Sequence, residues 1–120
     1  MPDKQKIGRL GEDSAADYLI ASGYAILERN WRDGHSEVDI IARSGKTLII
    51  AEVKTRLADW NETPEDFLPP TKQEALIAAA EAYIGASVDK ELELRFDLLI
   101  VRPGEQPEVK HIPHAFIPGL

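Results

Sequence analysis

Two carboxylates and an ammonium stand where a hydrolase could use them: Asp39, then twelve residues, then Glu52-Val53-Lys54. Each charge sits in an apolar run, Glu37-Val38-Asp39-Ile40-Ile41 in the first and Leu48 to Lys54 in the second. Strand side chains alternate faces with period two, so Glu37 is expected to share a face with Asp39, and Glu52 with Lys54. Arg43-Ser44-Gly45-Lys46 between the runs is a short polar link of the kind that closes a hairpin. Antiparallel pairing of the runs would bring Asp39, Glu52 and Lys54 to one edge.

A hard divalent cation such as Mg²⁺ or Mn²⁺ takes a few carboxylate oxygens and fills its remaining positions with water. Asp39 and Glu52 supply such oxygens, and the carbonyl of Val53 is a candidate third protein ligand. A lysine on the same face could orient or deprotonate an attacking water, or stabilise charge on a scissile phosphate. Phosphodiester hydrolysis is the reaction that uses carboxylates, metal and lysine together. Glu37 and Arg56 fall on the corresponding faces and are candidate supporting residues. The same residues also describe a solvated antiparallel sheet with cross-strand ion pairs. Against that, the charges gather at one end of a strand whose other positions, from Leu48 to Val53, are apolar.

The elements that must position this edge follow from periodicity. Met1 to Lys6 is polar and expected to fray. Ile7 to Ser22 reads as a helix stopped by Gly23, with Ala15, Ala16, Leu19 and Ile20 as its buried stripe and Glu12 at the head of that stripe. A first-turn glutamate favoured by the helix dipole accounts for Glu12 as well as a role in a site does. Tyr24 to Arg32 reads as a strand with Ala25, Leu27 and Arg29 on one face, and Asp33-Gly34 is a turn. Strands are expected over Glu37–Ala42 and Thr47–Lys54. Thr55 to Thr71 is a proline-containing loop in which Trp60 and Phe67 are expected to anchor to the core. A second helix is expected from an N-cap at Thr71, boxed by Glu74, to Ile84, with Leu76, Ala79, Ala80 and Tyr83 inward. Strands over Leu92–Val101 and Glu108–Ile112 complete an α/β layer, after which Phe116 and Ile117 are expected to pack the tail.

At 120 residues, with 43% hydrophobic and 29% charged residues, the chain reads as one soluble domain spanning 1–120. No cysteine is present, which excludes disulfides and thiolate chemistry. No signal-like or membrane-spanning run appears, so a cytoplasmic location without membrane contact is expected. The net charge of −7 weighs against unspecific nucleic-acid binding. His111 and His114 are read as packing or surface residues rather than ligands.

The wider pattern resembles a known family. Gly11-Glu12, Glu37-Val38-Asp39-Ile40-Ile41-Ala42, Glu52-Val53-Lys54-Thr55-Arg56, Lys72-Gln73, Arg95-Phe96-Asp97 and His111 to Phe116 together look like the YraN-like family. That family belongs to the PD-(D/E)xK nuclease superfamily and is related in fold to Holliday-junction resolvases. The resemblance implies a restriction-endonuclease-like α/β core, a central mixed five-stranded sheet flanked by helices. It implies Mg²⁺ or Mn²⁺ at Asp39 and Glu52, Lys54 as the catalytic lysine, and Glu12 at the edge of the site. It places Lys72 and Gln73 near the site, where they could meet phosphate, and implies DNA as partner and a homodimer by analogy with resolvases. Ser36 stands where relatives have glycine, and Glu74-Ala75 where they carry further cations. A nuclease-fold module that binds nucleic acid or protein without cutting is the alternative.

Overall fold

A computed structural model describes residues 3–86 and 91–119. Its elements are α1 (Lys4–Ala21), β1 (Ala25–Asp33), β2 (Ser36–Ser44), β3 (Thr47–Thr55), α2 (Pro64–Phe67), α3 (Pro70–Gly85), β4 (Glu93–Arg102) and β5 (Glu108–Phe116). The strands form one mixed sheet in chain order, with β3 and β4 parallel and every other neighbour antiparallel. The crossover between the parallel strands carries α2 and α3 to one face, and α1 covers the other, giving the α/β layers that the motifs implied.

Two cores result, one per face. On the α1 side, Ala15, Ala16 and Leu19 meet Ile40, Ala42, Ile49, Ala51, Leu99 and Val101. On the α3 side, Leu76, Ala79 and Ala80 meet Ile41, Leu48, Ile50, Phe96, Leu98 and Ile100, with Phe67 beneath. β3 and β4 are covered on both faces, which is why their sequences are nearly continuous apolar runs.

Several local expectations are corrected. α1 starts at Lys4 rather than fraying, because the Asp3 carboxylate accepts from the N–H groups of Gln5 and Lys6. Its stripe takes Gly11 in place of Ile20, which is 57% exposed. Simple alternation fails in β1, where the register shifts between Ile26 and Glu28 and Asn30 adopts φ 52°. α3 starts at Pro70 with extended Pro69 as its cap, two residues ahead of the expected Thr71 cap. Proline fits the first helical position because its φ is preset and its missing N–H would have had no partner. The capping-box geometry lies upstream instead, where Asp66 accepts from the Thr63 N–H at 2.8 Å. β5 runs on to Phe116, an extension that Pro113 permits because β5 is an edge strand. Phe116 stacks on Phe96, whereas Ile117 is exposed.

A candidate metal centre at the end of strand β3

β2 and β3 pair from Ser44↔Thr47 up to Ile40↔Ala51, and there the ladder stops. At the next position Asp39 takes over from the strand: its Oδ2 accepts the Val53 N–H at 2.8 Å. Face alternation also breaks here. Val38 packs in the α3-side core and Ile40, two residues on, in the α1-side core. The expectation that Glu37 and Asp39 share a face through regular alternation therefore does not carry across this point. The break matters chemically, because it lets Asp39 sit beside the end of β3.

Glu52 follows Ile50 on the α3 face of β3. It is one of two buried ionisable residues among the described residues, the other being Asp97. Lys54 Nζ lies 3.8 Å from Glu52 Oε1, as the two-residue spacing required. Lys72, in the first turn of α3, puts its Nζ 3.0 Å from Glu52 Oε2. That approach is an ion pair without hydrogen-bond geometry, since Oε2 is buried with no hydrogen-bond partner.

Glu12 reaches the site from α1. Gly11 makes this possible: a Cβ there would stand 2.0 Å from Thr55 Oγ1, so only glycine allows the helix to lie so close to β3. Glu12 Oε1 is likewise buried without a hydrogen-bond partner. A groove of about 410 Å³ opens between the helix and the strand end, lined by Ile7, Gly8, Glu12, Val53, Lys54 and Arg56.

The electrostatics show crowding. Burial, then the charge of Glu52, pushes Asp39 up to about 7, against the help of the Val53 N–H and of Lys72. Burial, then Asp39, raises Glu12 as well. A divalent cation among such oxygens would relieve both effects. Among the described residues no group of three or more His, Asp or Glu side chains could hold a metal. The Asp39 and Glu52 carboxylates, with the Val53 carbonyl as the expected third ligand, would leave the remaining positions of a bound Mg²⁺ to water, which that ion retains readily. The orphaned Oε2 of Glu52 fits such a ligand.

The supporting candidates are placed differently from one another. Glu37 lies at the start of β2, 3.6 Å from Arg32, and its charge reaches Glu12. Arg56 lines the groove but is held by Glu62 at 2.7 and 3.2 Å and lies over the Phe67 ring. Gln73 turns away, its amide donating to the Leu68 carbonyl at 2.8 Å.

A second polar cluster lies on the α1 face of β4. Asp97, 1% exposed, accepts from Arg95 Nε at 2.9 Å and Nη2 at 2.7 Å, and stands 2.7 Å from His111 Nε2. Arg95 also donates to the Tyr24 hydroxyl, and Tyr18 Oη is 3.2 Å from His111 Nδ1. Burial would raise Asp97, but the hydrogen bonds from His111 and Arg95 hold it below the usual carboxylate range. This network ties α1, the link before β1, β4 and β5 together. Sequence reasoning quoted Arg95-Phe96-Asp97 and His111 as parts of the family pattern and read His111 as a packing or surface residue. It did not join them, although Arg95-Phe96-Asp97 carries the same signal as Glu52-Val53-Lys54, charges two apart in an apolar run.

With this geometry in place, comparison with known proteins is decisive for family. Residues 11–101 match the model of the uncharacterised protein family UPF0102. The chain belongs to UPF0102. This is the YraN-like family that the motifs resemble. A UPF0102 protein of Flavobacterium johnsoniae is 38% identical over 97% of this chain and 98% of its own length. One from Chlorobium chlorochromatii is 42% identical over 92% of this chain and 91% of its own. A UPF0102 protein of Oleidesulfovibrio alaskensis is 48% identical over 78% of this chain but only 46% of its own length. The UPF0102 match spans Glu12, Asp39, Glu52, Lys54 and Lys72, all of which lie between its ends.

Proposed function

We propose that this UPF0102 protein is a Mg²⁺- or Mn²⁺-dependent endonuclease-like enzyme that hydrolyses phosphodiester bonds in DNA, at branched or processed structures. The observation that carries this reading is the buried, hydrogen-bond-deficient Glu52 packed against Asp39, with Lys54 beside it. Asp39, Glu52 and the Val53 carbonyl would hold the metal, which when bound supplies a Lewis acid and an activated water. Lys54, one-third exposed at the strand end and on the rim of the groove, would orient that water and offset charge on the phosphate. Glu12 would shape the site from the α1 side and, as a general acid or base, could move a proton at the leaving oxygen.

The test is cleavage of branched, nicked and single-stranded DNA with Mn²⁺, comparing the wild type with Asp39→Ala and Lys54→Ala. We expect either substitution to lower the rate at least a hundredfold. Equal cleavage by all three would remove the catalytic claim. The excess of acid over base, 21 to 14, favours a second reading as a non-cutting module for nucleic acid or a protein partner. Mn²⁺ titration separates them, because a site lost in Glu52→Ala supports the enzyme and no metal binding supports the module.

A further inference from the structure

Glu52 presents a problem that its own strand does not solve. Its side chain is 6% exposed and it is flanked by the Asp39 carboxylate, so the pair needs a counter-charge. Lys54 is a distant partner at 3.8 Å, at the limit of an ion pair. The closer cation comes from another element. Lys72 Nζ stands 3.0 Å from Glu52 Oε2, and its charge is also felt by Asp39. Yet Oε2 receives no hydrogen bond. The contact is therefore Coulombic and undirected, and no hydrogen bond holds the ammonium in place. The lysine side chain is 34% exposed, so solvent already reaches it, and its flexible four-carbon stem can swing without moving α3.

We infer that Lys72 is a displaceable counter-cation: its ammonium occupies the cation position of the Asp39–Glu52 pair, gives way to a divalent metal, and moves to a phosphate of the nucleic acid. This rests on the metal-dependent reading above and names the residue through which metal and nucleic acid are coupled. An ammonium 3.0 Å from Glu52 Oε2 and a divalent ion on that same oxygen would repel each other, whereas Lys54 approaches the other oxygen, Oε1, from 3.8 Å. Once released, Lys72 lies in the first turn of α3, where the helix N-terminus also favours an anion. Metal binding would then strengthen nucleic-acid binding, and nucleic acid would strengthen metal binding by the same factor.

The experiment is calorimetric titration of Mn²⁺ into the wild type, Lys72→Met, Lys72→Gln and Lys46→Met. Lys46, at the β2–β3 turn and paired with Glu91, controls for loss of one positive charge. Thermal melts confirm that each variant is folded, and either Lys72 variant suffices. We expect Mn²⁺ to bind several-fold more tightly to the Lys72 variants and with unchanged affinity to Lys46→Met. Fluorescence anisotropy with a labelled oligonucleotide, with and without Ca²⁺, should show a metal-dependent gain in affinity for the wild type that is largely lost in Lys72→Met. Unchanged or weaker Mn²⁺ binding in the Lys72 variants overturns this inference and leaves the metal site standing. A full metal-dependent gain in Lys72→Met overturns it as well. No Mn²⁺ binding by any of the four overturns both this inference and the metal-dependent reading.

Discussion

At the scale of single residues, the carboxylates of half-buried Asp39 and buried Asp97 behave oppositely, and their surroundings explain why. Asp39 is pushed from 3.8 to about 7 by burial and by Glu52. A folded-state value above the unfolded one means that the folded protein binds the extra proton between about pH 4 and 7. Stability therefore falls as pH rises through that window and stays low above it. Asp39→Asn keeps an oxygen to accept the Val53 N–H and removes the charge. In chelator, we expect it to match the wild type near pH 4 and to exceed it by about 2 kcal/mol at pH 8, read by urea denaturation. A variant less stable at every pH would mean that Asp39 acts as an ordinary ion-pair partner. Asp97 is the reverse case. Its value is depressed, so its contribution is present above the unfolded value of 3.8 and is lost as pH falls through the folded one. Asp97→Asn would leave the Arg95 guanidinium, 17% exposed, without its partner. We expect a loss of about 3 kcal/mol in the same assay at neutral pH. The first carboxylate was legible from spacing, because its partners lie in one hairpin. The second was not, because Tyr18 comes from α1, Tyr24 from the link before β1 and His111 from β5, and no local period joins them.

At the scale of elements, what could be read was what repeats. The helical stripe of Leu76, Ala79 and Ala80 and the apolar runs of β3 and β4 follow directly from periods of 3.6 and 2. The features that aim the site are departures from period. The β1 register shift, the left-handed Asn30 and the change of face around Asp39 all lie on the two strands beside the carboxylates. A one-residue irregularity redirects every side chain beyond it, so no alternation rule reports it. The close approach of α1 is another such feature. Gly11 looks like a weak point in a helix, yet its missing side chain is what lets Thr55 fit. We expect Gly11→Ala to destabilise by about 2 kcal/mol despite the better helix propensity of alanine, because its Cβ would overlap Thr55 Oγ1. Adding Thr55→Ala should recover part of the loss in thermal unfolding, since the Oγ1 overlap disappears and only the 3.1 Å contact with Thr55 Cβ remains. A stabilised Gly11→Ala would show that α1 can lift from β3 without cost, and would loosen the placement of Glu12.

At the scale of the whole molecule, the question is how a chain of net charge −7 would hold nucleic acid. Net charge alone argues against it, but binding depends on the cations that face the backbone. Three cations at the site are paired with acids in place: Lys72 and Lys54 with Glu52, and Arg56 with Glu62. Farther round the same loop, Arg102 is paired with Asp59. Near the site, these cations are thus covered by acids, and each pair can be opened. Glu62 is the simplest to open, because it is exposed and its own value is lowered chiefly by the hydrogen bond from Arg56. Glu62→Gln should leave the fold intact, since exposed ion pairs contribute little to stability. It should free the Arg56 guanidinium from its carboxylate, leaving it over Phe67 on the lining of the groove. Each cation that neutralises a phosphate releases about 0.7 to 0.9 counterions. We therefore expect Glu62→Gln to tighten oligonucleotide binding several-fold at low salt and to steepen the log-affinity against log-salt slope by about one. Anisotropy titrations at four or five salt concentrations would read both. A tighter complex with an unchanged slope would assign the gain to general charge rather than to a new phosphate contact. An unchanged affinity would mean that the nucleic acid does not pass Arg56, and the groove between α1 and β3 would no longer be its path.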